Sequence, residues 1–584
     1  MIQLLATLLF ALPLESLCFA TYPPPPPFLN NVFGDHMVLQ RDTPSVVVYG
    51  FASPGSMVNT TMAQTGGSGV SYVLQTRTGD DGIWRQQLAS QEASRIDGSN
   101  AWNFSIAGEG GINASMVDVL FGDVHMCSGQ SNMQYTLRLG FNASAECALT
   151  PLYPGIRMMS IYDNRSATPR TYIWPTYLLS WAASSPEVVC PGGWGYMSAA
   201  CYYTYRSVYT VTGVPQGLIS NSFGGSYIEE WMSSDAMAMC PLPDAPPAAP
   251  CPSNVDKAPS DKEAKNTLAL AHNAAANTIP SAPSCVSAIF NVMVTPFLVG
   301  PMPMRTLLFY QGESNVNTHD AMTTQNPAWY ACAASAIVSD YRKKIPGLST
   351  FGAFQLAGCT APCYSATTLN LSDLRAAQAA PLKTTSRFAF TTAADAANFS
   401  DPTNIHYPVK QVVSQRMANQ ILALEYGLEP NGPTAIPMFS NAEQVGGGNP
   451  SQLRVHVNLT GCTGTQAGIG GSAATGTAAT GCELRSAACP VADESQCAGF
   501  QVRIDGAGPN GTAAWVPSTA AAVLPDGHTV ELSVPGSGVA SGVAYGRANW
   551  PLMTLYAQGS GLPVLPFCVT LGSASTQQCY EAGI

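Results

Sequence analysis

From Phe28 to about Val117 the chain runs in short stretches such as Ser45-Val46-Val47-Val48-Tyr49, broken by turns at Ser53-Pro54-Gly55 and Asp80-Asp81-Gly82. That spacing of apolar runs and turns predicts a small N-terminal β domain over 21–115, with Trp84 and Trp102 as core anchors. Near Met116 the pattern changes. Apolar runs of strand length at 117–127, 217–221, 306–310 and 387–391 now alternate with segments of helical spacing, the pattern of an α/β layer with a mostly parallel sheet over 116–429. One such segment, 409–426, repeats Val409, Val413, Met417, Ile421 and Leu424 on one face, with Pro408 at its start and Gly427 placed to stop it. A Pro/Ala-rich stretch at 237–285 carries three cysteines and reads as a disulfide-pinned insertion, with a short helix near 262–275. After Pro430, strand-like runs at 454–458, 501–504 and 529–532 predict a C-terminal β domain over 430–584.

Composition fixes the compartment more than the fold. Residues 1–20 combine an apolar run, Leu4 to Leu12, with Leu17-Cys18-Phe19-Ala20, and read as a secretory signal peptide. Of 17 cysteines, Cys18 leaves with that segment, and the remaining even number suits disulfides. Nine Asn-x-Ser/Thr sequons between Asn59 and Asn510 agree, so the expected destination is the secretory pathway, extracellular or lysosome/vacuole-like. A formal net charge of −11 argues against nucleic acid or an anionic membrane as partner, since both require a basic footprint. The later apolar stretch 286–310 is interrupted by Asn291, three prolines and Arg305, so no membrane span is expected. No Cys-x-x-Cys and no clustered His/Cys spacing occurs, which implies neither a redox site nor a metal, and no cofactor is expected. Oligomeric state is not legible.

In an open α/β sheet, ligands bind beyond the carboxyl ends of the strands. The residues that follow the four core runs are therefore informative. They are Ser128-Gly129-Gln130-Ser131-Asn132, Phe223-Gly224-Gly225-Ser226, Gln311-Gly312-Glu313-Ser314-Asn315, and a loop holding Asp395 and Asp401 that ends at His406. Those are the parts of a serine hydrolase. A serine hydroxyl is a weak nucleophile until a base takes its proton, and His406, preferred by position over His319, is the expected base. The oxyanion of the tetrahedral intermediate needs preset donors, which the Ser131 N–H, the Gly224 or Gly225 N–H and the Asn315 amide would supply. An imidazole with an ordinary pKa of about 6.5 would make activity climb through roughly pH 6–7.

The blocks Gly122-Asp123-Val124, Gly129-Gln130-Ser131-Asn132-Met133, Tyr310-Gln311-Gly312-Glu313-Ser314-Asn315 and Ile405-His406-Tyr407-Pro408-x-Lys410-Gln411 resemble the sialate O-acetylesterase family of SGNH (GDSL-like) hydrolases. So do Phe33 to Arg41, Gly225 to Met232 and Gly561 to Phe567, which spreads the resemblance over nearly the whole chain. It implies a three-layer α/β/α SGNH-hydrolase domain flanked by β domains. It also implies metal-free removal of acetyl groups from sugar hydroxyls through an acetyl-serine, with an O-acetylated sugar or glycan as substrate. The roles it implies are Ser131 as nucleophile, His406 as base, and Ser131, Gly225 and Asn315 in the oxyanion hole. Gln130, Gln311, Glu313 and Trp231 are expected against the substrate. The chain departs from the family where an acid commonly stands two residues before the histidine: that position is Asn404. The Asn404 amide itself, Asp401 or Asp395 would then orient His406, with Asp401 favoured; a Ser-His dyad with a backbone carbonyl orienting the ring is the other arrangement. The same departure keeps open an impaired hydrolase scaffold acting as a secreted carbohydrate-binding or interaction protein.

Overall fold

A computed structural model describes residues 25–66, 69–161, 163–173, 177–241, 286–316, 327–360, 363, 371–430, 434–445, 452–462, 481–487, 489–490, 497–536, 538–558 and 560–571. The proposed signal peptide, most of the 237–285 insertion with its expected helix, and His319 lie outside the described residues.

The N-terminal strands are β1 (Val38–Gln40), β2 (Val47–Phe51), β3 (Met57–Gln64), β4 (Ser71–Arg77), β5 (Ile83–Gln87) and β6 (Trp102–Gly108). Strand β3 pairs antiparallel with both β4 and β6, and β2 with β5. Trp84 and Trp102 are both buried, as core anchors should be.

The strand β7 (Asn113–Gly129) joins this part to the rest. Its first half pairs antiparallel with β6 and alternates exposed with buried positions; from Val119 on, every residue is buried. That change is what a strand shows when it passes from a sheet with one wet face to one covered on both. The boundary expected at 115/116 thus falls inside a single continuous strand, because the two sheets share it.

Beyond it come β8 (Ile156–Ile161), β9 (Tyr177–Ala183), β10 (Gln216–Ser222), β11 (Thr306–Tyr310), β12 (Thr350–Gln355) and β13 (Phe388–Thr392). The order across the sheet is β13-β12-β11-β7-β10-β8-β9. Neighbours from β13 to β8 run parallel, and β9 is antiparallel to β8. The architecture is mixed α/β with additional β sheets. The chain leaves β7 toward β8 and β10 on one side and returns to β11 on the other, which makes the end of β7 a topological switch point.

Sequence pattern located four of these strands. It passed over β9, and over β8 and β12: the run of β8 is interrupted by Arg157, and β12 carries Gly352 at its middle. Both have a structural reason. Arg157 forms an ion pair with Asp118 at 2.5 Å, and a Cβ on Gly352 would lie 2.7 Å from Leu308 Cδ2 and 2.8 Å from Met417 Sδ.

The helices that matter for the site are α1 (Ser131–Gln134), α2 (Ala199–Thr212), α3 (Ile228–Trp231), α4 (Glu313–Val316), α5 (Pro327–Lys344), α6 (Leu371–Gln378) and α7 (Lys410–Ile421). The last follows Pro408 as expected, buries Val413, Met417 and Ile421 completely, and after one further turn meets Gly427 at φ 66°.

At the amino end of the sheet, Asp123 is buried and accepts from Arg41 Nε (3.0 Å) and the Tyr426 hydroxyl (2.7 Å), with Arg305 Nε at 2.8 Å. Burial alone would raise its pKa, but the two arginines outweigh it and hold the carboxyl below the usual range. The Gly-Asp-Val block is therefore an anchor at the end of the sheet opposite the carboxyl termini of its strands.

The C-terminal part contains two four-stranded antiparallel sheets around a second core that includes Val455, Val502, Val530, Leu532 and Val543. Arg375 on α6 is wholly buried and donates to the carbonyls of Leu356, Ala357, Ala548 and Asn549, stitching this part to the α/β sheet.

Disulfides join Cys127–Cys201, Cys147–Cys190, Cys240–Cys332, Cys359–Cys363, Cys462–Cys482 and Cys489–Cys497. The 240–332 bridge pins the start of the insertion to α5. Among the described residues no helix is long and apolar enough to cross a membrane.

Candidate active site

Ser131 sits where β7 ends. Gly129 adopts φ 137°, and a Cβ there would lie 2.1 Å from the Tyr310 carbonyl, so only glycine lets the chain turn against β11. Gln130 then donates its N–H to the same Tyr310 carbonyl at 2.9 Å, and Ser131 opens α1, partly exposed.

The residues around Ser131 fix this turn from several sides. Gln130 Oε1 accepts from Gln311 Nε2 (3.2 Å), the Gly312 N–H (3.1 Å) and the Ser314 N–H (3.2 Å), tying the turn to the loop after β11. Asn132 Nδ2 donates to Glu313 Oε1 and to the Ile405 carbonyl (3.1 Å), so the residue after the serine holds the residue before the histidine. Gln134 Oε1 accepts the Gly224 N–H (3.0 Å), while its Nε2 donates to Asp163 (2.8 and 2.9 Å). A Cβ on Gly224 would stand 3.6 Å from Ser131 Cβ. The four loops named by the sequence do converge on one place.

His406 lies in an aromatic slot. The Trp194 ring is edge-on at 4.9 Å and the Tyr135 ring stacks at 6.5 Å. Its Nε2 is buried and has no hydrogen-bond partner among the described residues. Burial, helped by the Lys410 ammonium, pushes its pKa down to about 3. The sequence expectation of an ordinary imidazole is thereby corrected: the ring is neutral far into the acid range because its charged form is desolvated.

Neither expected acid reaches the ring. Asp401 is exposed, and its carboxylate accepts from Thr403 Oγ1 (2.7 Å) and the Thr403 N–H (3.3 Å), closing its own turn. Asp395 is taken by a bidentate pair with Arg416, 2.7 Å at each oxygen, and by the Tyr556 hydroxyl (3.2 Å). Asn404 Oδ1 accepts the backbone N–H of His406 (2.9 Å), shaping the loop rather than orienting the ring. Among the described residues no carboxylate bonds to the His406 side chain; packing between Trp194 and Tyr135 is what fixes its plane.

Of the expected oxyanion donors, two are open. The Ser131 N–H at the start of α1 and the N–H of Gly225, exposed at φ 76°, have no acceptor among the described residues. Gly224 is engaged by Gln134. Asn315 is fully buried, with Nδ2 donating to Glu229 Oε2 (3.2 Å) and Oδ1 accepting from Gln311 Nε2 (2.6 Å) and the Ile228 N–H (3.1 Å). The four residues expected against substrate are interior as well. Gln130, Gln311, Glu313 and Trp231 are at most 4 % exposed. Trp231 donates its indole N–H to Ser226 Oγ (2.9 Å), and Gln311 joins Gln130, Ser226 and Asn315. They lie beneath the site, each closed off from solvent.

Sequence reasoning did not single out Trp194, Tyr135, Gln134 or Asp163. The signal for Trp194 was present: it stands in Gly192-Gly193-Trp194-Gly195, where all three glycines have positive φ, a loop built to display one ring. Asp163, whose carboxyl burial pushes up to about 7, has no such signature.

The comparisons place this geometry among known proteins. The human sialate O-acetylesterase is 28% identical over 328 residues, 54% of this chain and 52% of that protein. The mouse enzyme is 29% identical over 330 residues, 53% and 54% respectively. The chain is similar to sialate O-acetylesterases. The match spans about half the length of these curated relatives, and no family model matches. A carbohydrate acetylesterase from Xanthomonas citri shares the fold, with a TM-score of 0.66 at 21% identity over 94% of this chain and all of that one.

Proposed function

We propose that the protein is a carbohydrate O-acetylesterase working through a Ser131–His406 dyad on a three-layer SGNH-type domain. The observation that carries this reading is the clamp around Ser131. Asn132 binds the carbonyl of Ile405 and so sets the nucleophile turn beside the His406 loop, with the Ser131 and Gly225 N–H groups left open.

Neutral His406 takes the Ser131 hydroxyl proton as Oγ bonds to the acetyl carbon. The Ser131 and Gly225 N–H groups receive the oxyanion. As the bond to the sugar oxygen breaks, His406 returns the proton to the leaving alcohol. Water, deprotonated by the same ring, then attacks the acetyl-serine; the Oγ–acyl bond breaks, Ser131 Oγ takes the proton back from His406, and acetate leaves. The curated relatives are named for sialate esters, which makes O-acetylated sialic acid the first substrate to test. The disulfide set supports folding in an oxidising, secretory compartment.

The decisive experiment compares wild type with Ser131→Ala for acetate release from O-acetylated sialic acid and a chromogenic acetate, with fluorophosphonate labelling in parallel. Wild type is expected to turn over and to label at Ser131, and the variant to do neither. Turnover retained by the variant sinks the mechanism. A folded wild type that neither labels nor turns over would favour the binding-protein reading, which the lack of a carboxylate at His406 keeps specific.

A further inference from the structure

Lys410 has no exposed surface and stands on the first turn of α7, four residues after His406; burial pushes its pKa well below the ordinary lysine value. Three tyrosine rings surround its Nζ: Tyr407 with its centroid at 3.5 Å, Tyr135 at 4.9 Å and Tyr310 at 5.5 Å. Such a cage offsets part of the desolvation of an ammonium through the negative faces of the rings. Nζ donates to Asn132 Oδ1, and the amide of the same Asn132 donates to Glu313 Oε1 and to the Ile405 carbonyl. Asn132 is 1 % and Glu313 4 % exposed. The second oxygen of Glu313 is buried and has no partner among the described residues. Taking a lysine amine and a glutamate carboxyl out of water is costly, and a buried pair of this kind is weak evidence for stability, so the pair beneath the site calls for a role besides stability.

Resting on the esterase reading above, we infer that Lys410 is a positioning residue for the hydrolysis: acting through Asn132, and with Glu313 at the far side of the same amide, it locks the Ser131 turn to the His406 loop. The chain of contacts has the connectivity for that task. Lys410 and His406 share one segment, Asn132 adjoins Ser131, and Glu313 belongs to the third loop. One amide joins all three. With Nζ on its oxygen and a carboxyl on its nitrogen, the Asn132 side chain has one orientation, and Ser131 inherits it. Lys410 touches no substrate; it sets where the nucleophile stands relative to its base.

The test uses the full-length protein and a chromogenic acetate. Variants Lys410→Met and Asn132→Ala, alone and combined, are compared with wild type and with Ser131→Ala, after thermal melts establish folding. A misplacement of the reacting groups by about 1 Å costs up to roughly a hundredfold in rate. Each single variant is therefore expected to lose at least about tenfold in kcat with KM within about twofold. The double variant should lose no more than the worse single, since both break one strut. Fluorophosphonate labelling of Ser131 should slow in the same proportion as kcat. A folded Lys410→Met with wild-type kcat overturns the inference. So does a raised KM at unchanged kcat, which would make Lys410 a substrate contact, and so do losses that multiply in the double variant. If Lys410→Met does not fold, Asn132→Ala decides, and an unchanged kcat there is equally fatal. Activity surviving in Ser131→Ala would instead bring down the esterase mechanism itself, so the two failures are distinguishable.

Discussion

The pH dependence of turnover gives the most direct check on the slot around His406. As general base the ring must be neutral. Its pKa is depressed, so the neutral form persists above about pH 3 and is lost only as pH falls through that value. An unperturbed imidazole with a pKa of about 6.5 would be only about 3% neutral at pH 5, whereas a ring titrating near 3 is about 99% neutral there, a contrast of roughly thirtyfold. The profile of kcat/KM reports groups of the free enzyme, which is the state described. The assay is release of nitrophenol from a nitrophenyl acetate between pH 4 and 8 at fixed ionic strength, quenched into alkali for reading, with circular dichroism at each pH to establish folding. The expected profile is nearly level from pH 8 down to about 4.5. A tenfold fall per unit beginning near pH 6.5, in protein that remains folded, would show that burial by Trp194 and Tyr135 does not desolvate the ring and would refute the reasoning.

Two further perturbations separate competing accounts. Because Asp401 is exposed and engaged only with its own turn, Asp401→Ala should keep kcat/KM within about twofold; the ~10⁴-fold loss that follows from disabling a triad aspartate would restore it as the orienting acid. The wholly buried Cys127–Cys201 bridge closes a separation of 74 residues and ties the Ser131 strand to α2. Removing both sulfurs by Cys127→Ala/Cys201→Ala should cost about 4 kcal/mol of stability on chain-entropy grounds, read as a lowered urea midpoint, and an unchanged midpoint would count against a stabilising role.

Much of the fold was legible because its signals are local. Short apolar runs separated by turns announced the N-terminal strands, and the helical spacing of Val413, Met417 and Ile421 marked the buried face of α7. What escaped depends on distant partners. Arg157 looks wrong for a core strand until Asp118, thirty-nine residues earlier in the chain, is beside it; Gly352 looks like a break until Leu308 and Met417 crowd it. The boundary expected at 115/116 falls inside β7 for a related reason. Composition changes there because β7 moves from a half-wet sheet to one covered on both faces, and the chain itself does not stop.

The site divides in the same way. Strand ends are encoded in order along the chain, so the meeting of the loops after β7, β10 and β11 with the loop before His406 could be inferred without coordinates. The direction in which each side chain points could not. Gln130, Gln311 and Glu313 are polar residues in strand-end loops, which from sequence alone reads as contact with substrate. In the fold Gln130 and Gln311 bond to each other and Glu313 accepts from Asn132, because three loops meeting at a switch point leave many backbone and side-chain donors needing acceptors away from water. Gln130 Oε1 alone takes three of them. The Gly-Gln-Ser-Asn-Met block is therefore a bracing motif with one free hydroxyl at its centre. The same logic accounts for Asn404. A base fixed by packing between Trp194 and Tyr135 does not need a carboxylate behind it to hold its plane. It does forgo the stabilisation of imidazolium that a carboxylate provides, and a depressed His406 pKa is the physical signature of that arrangement.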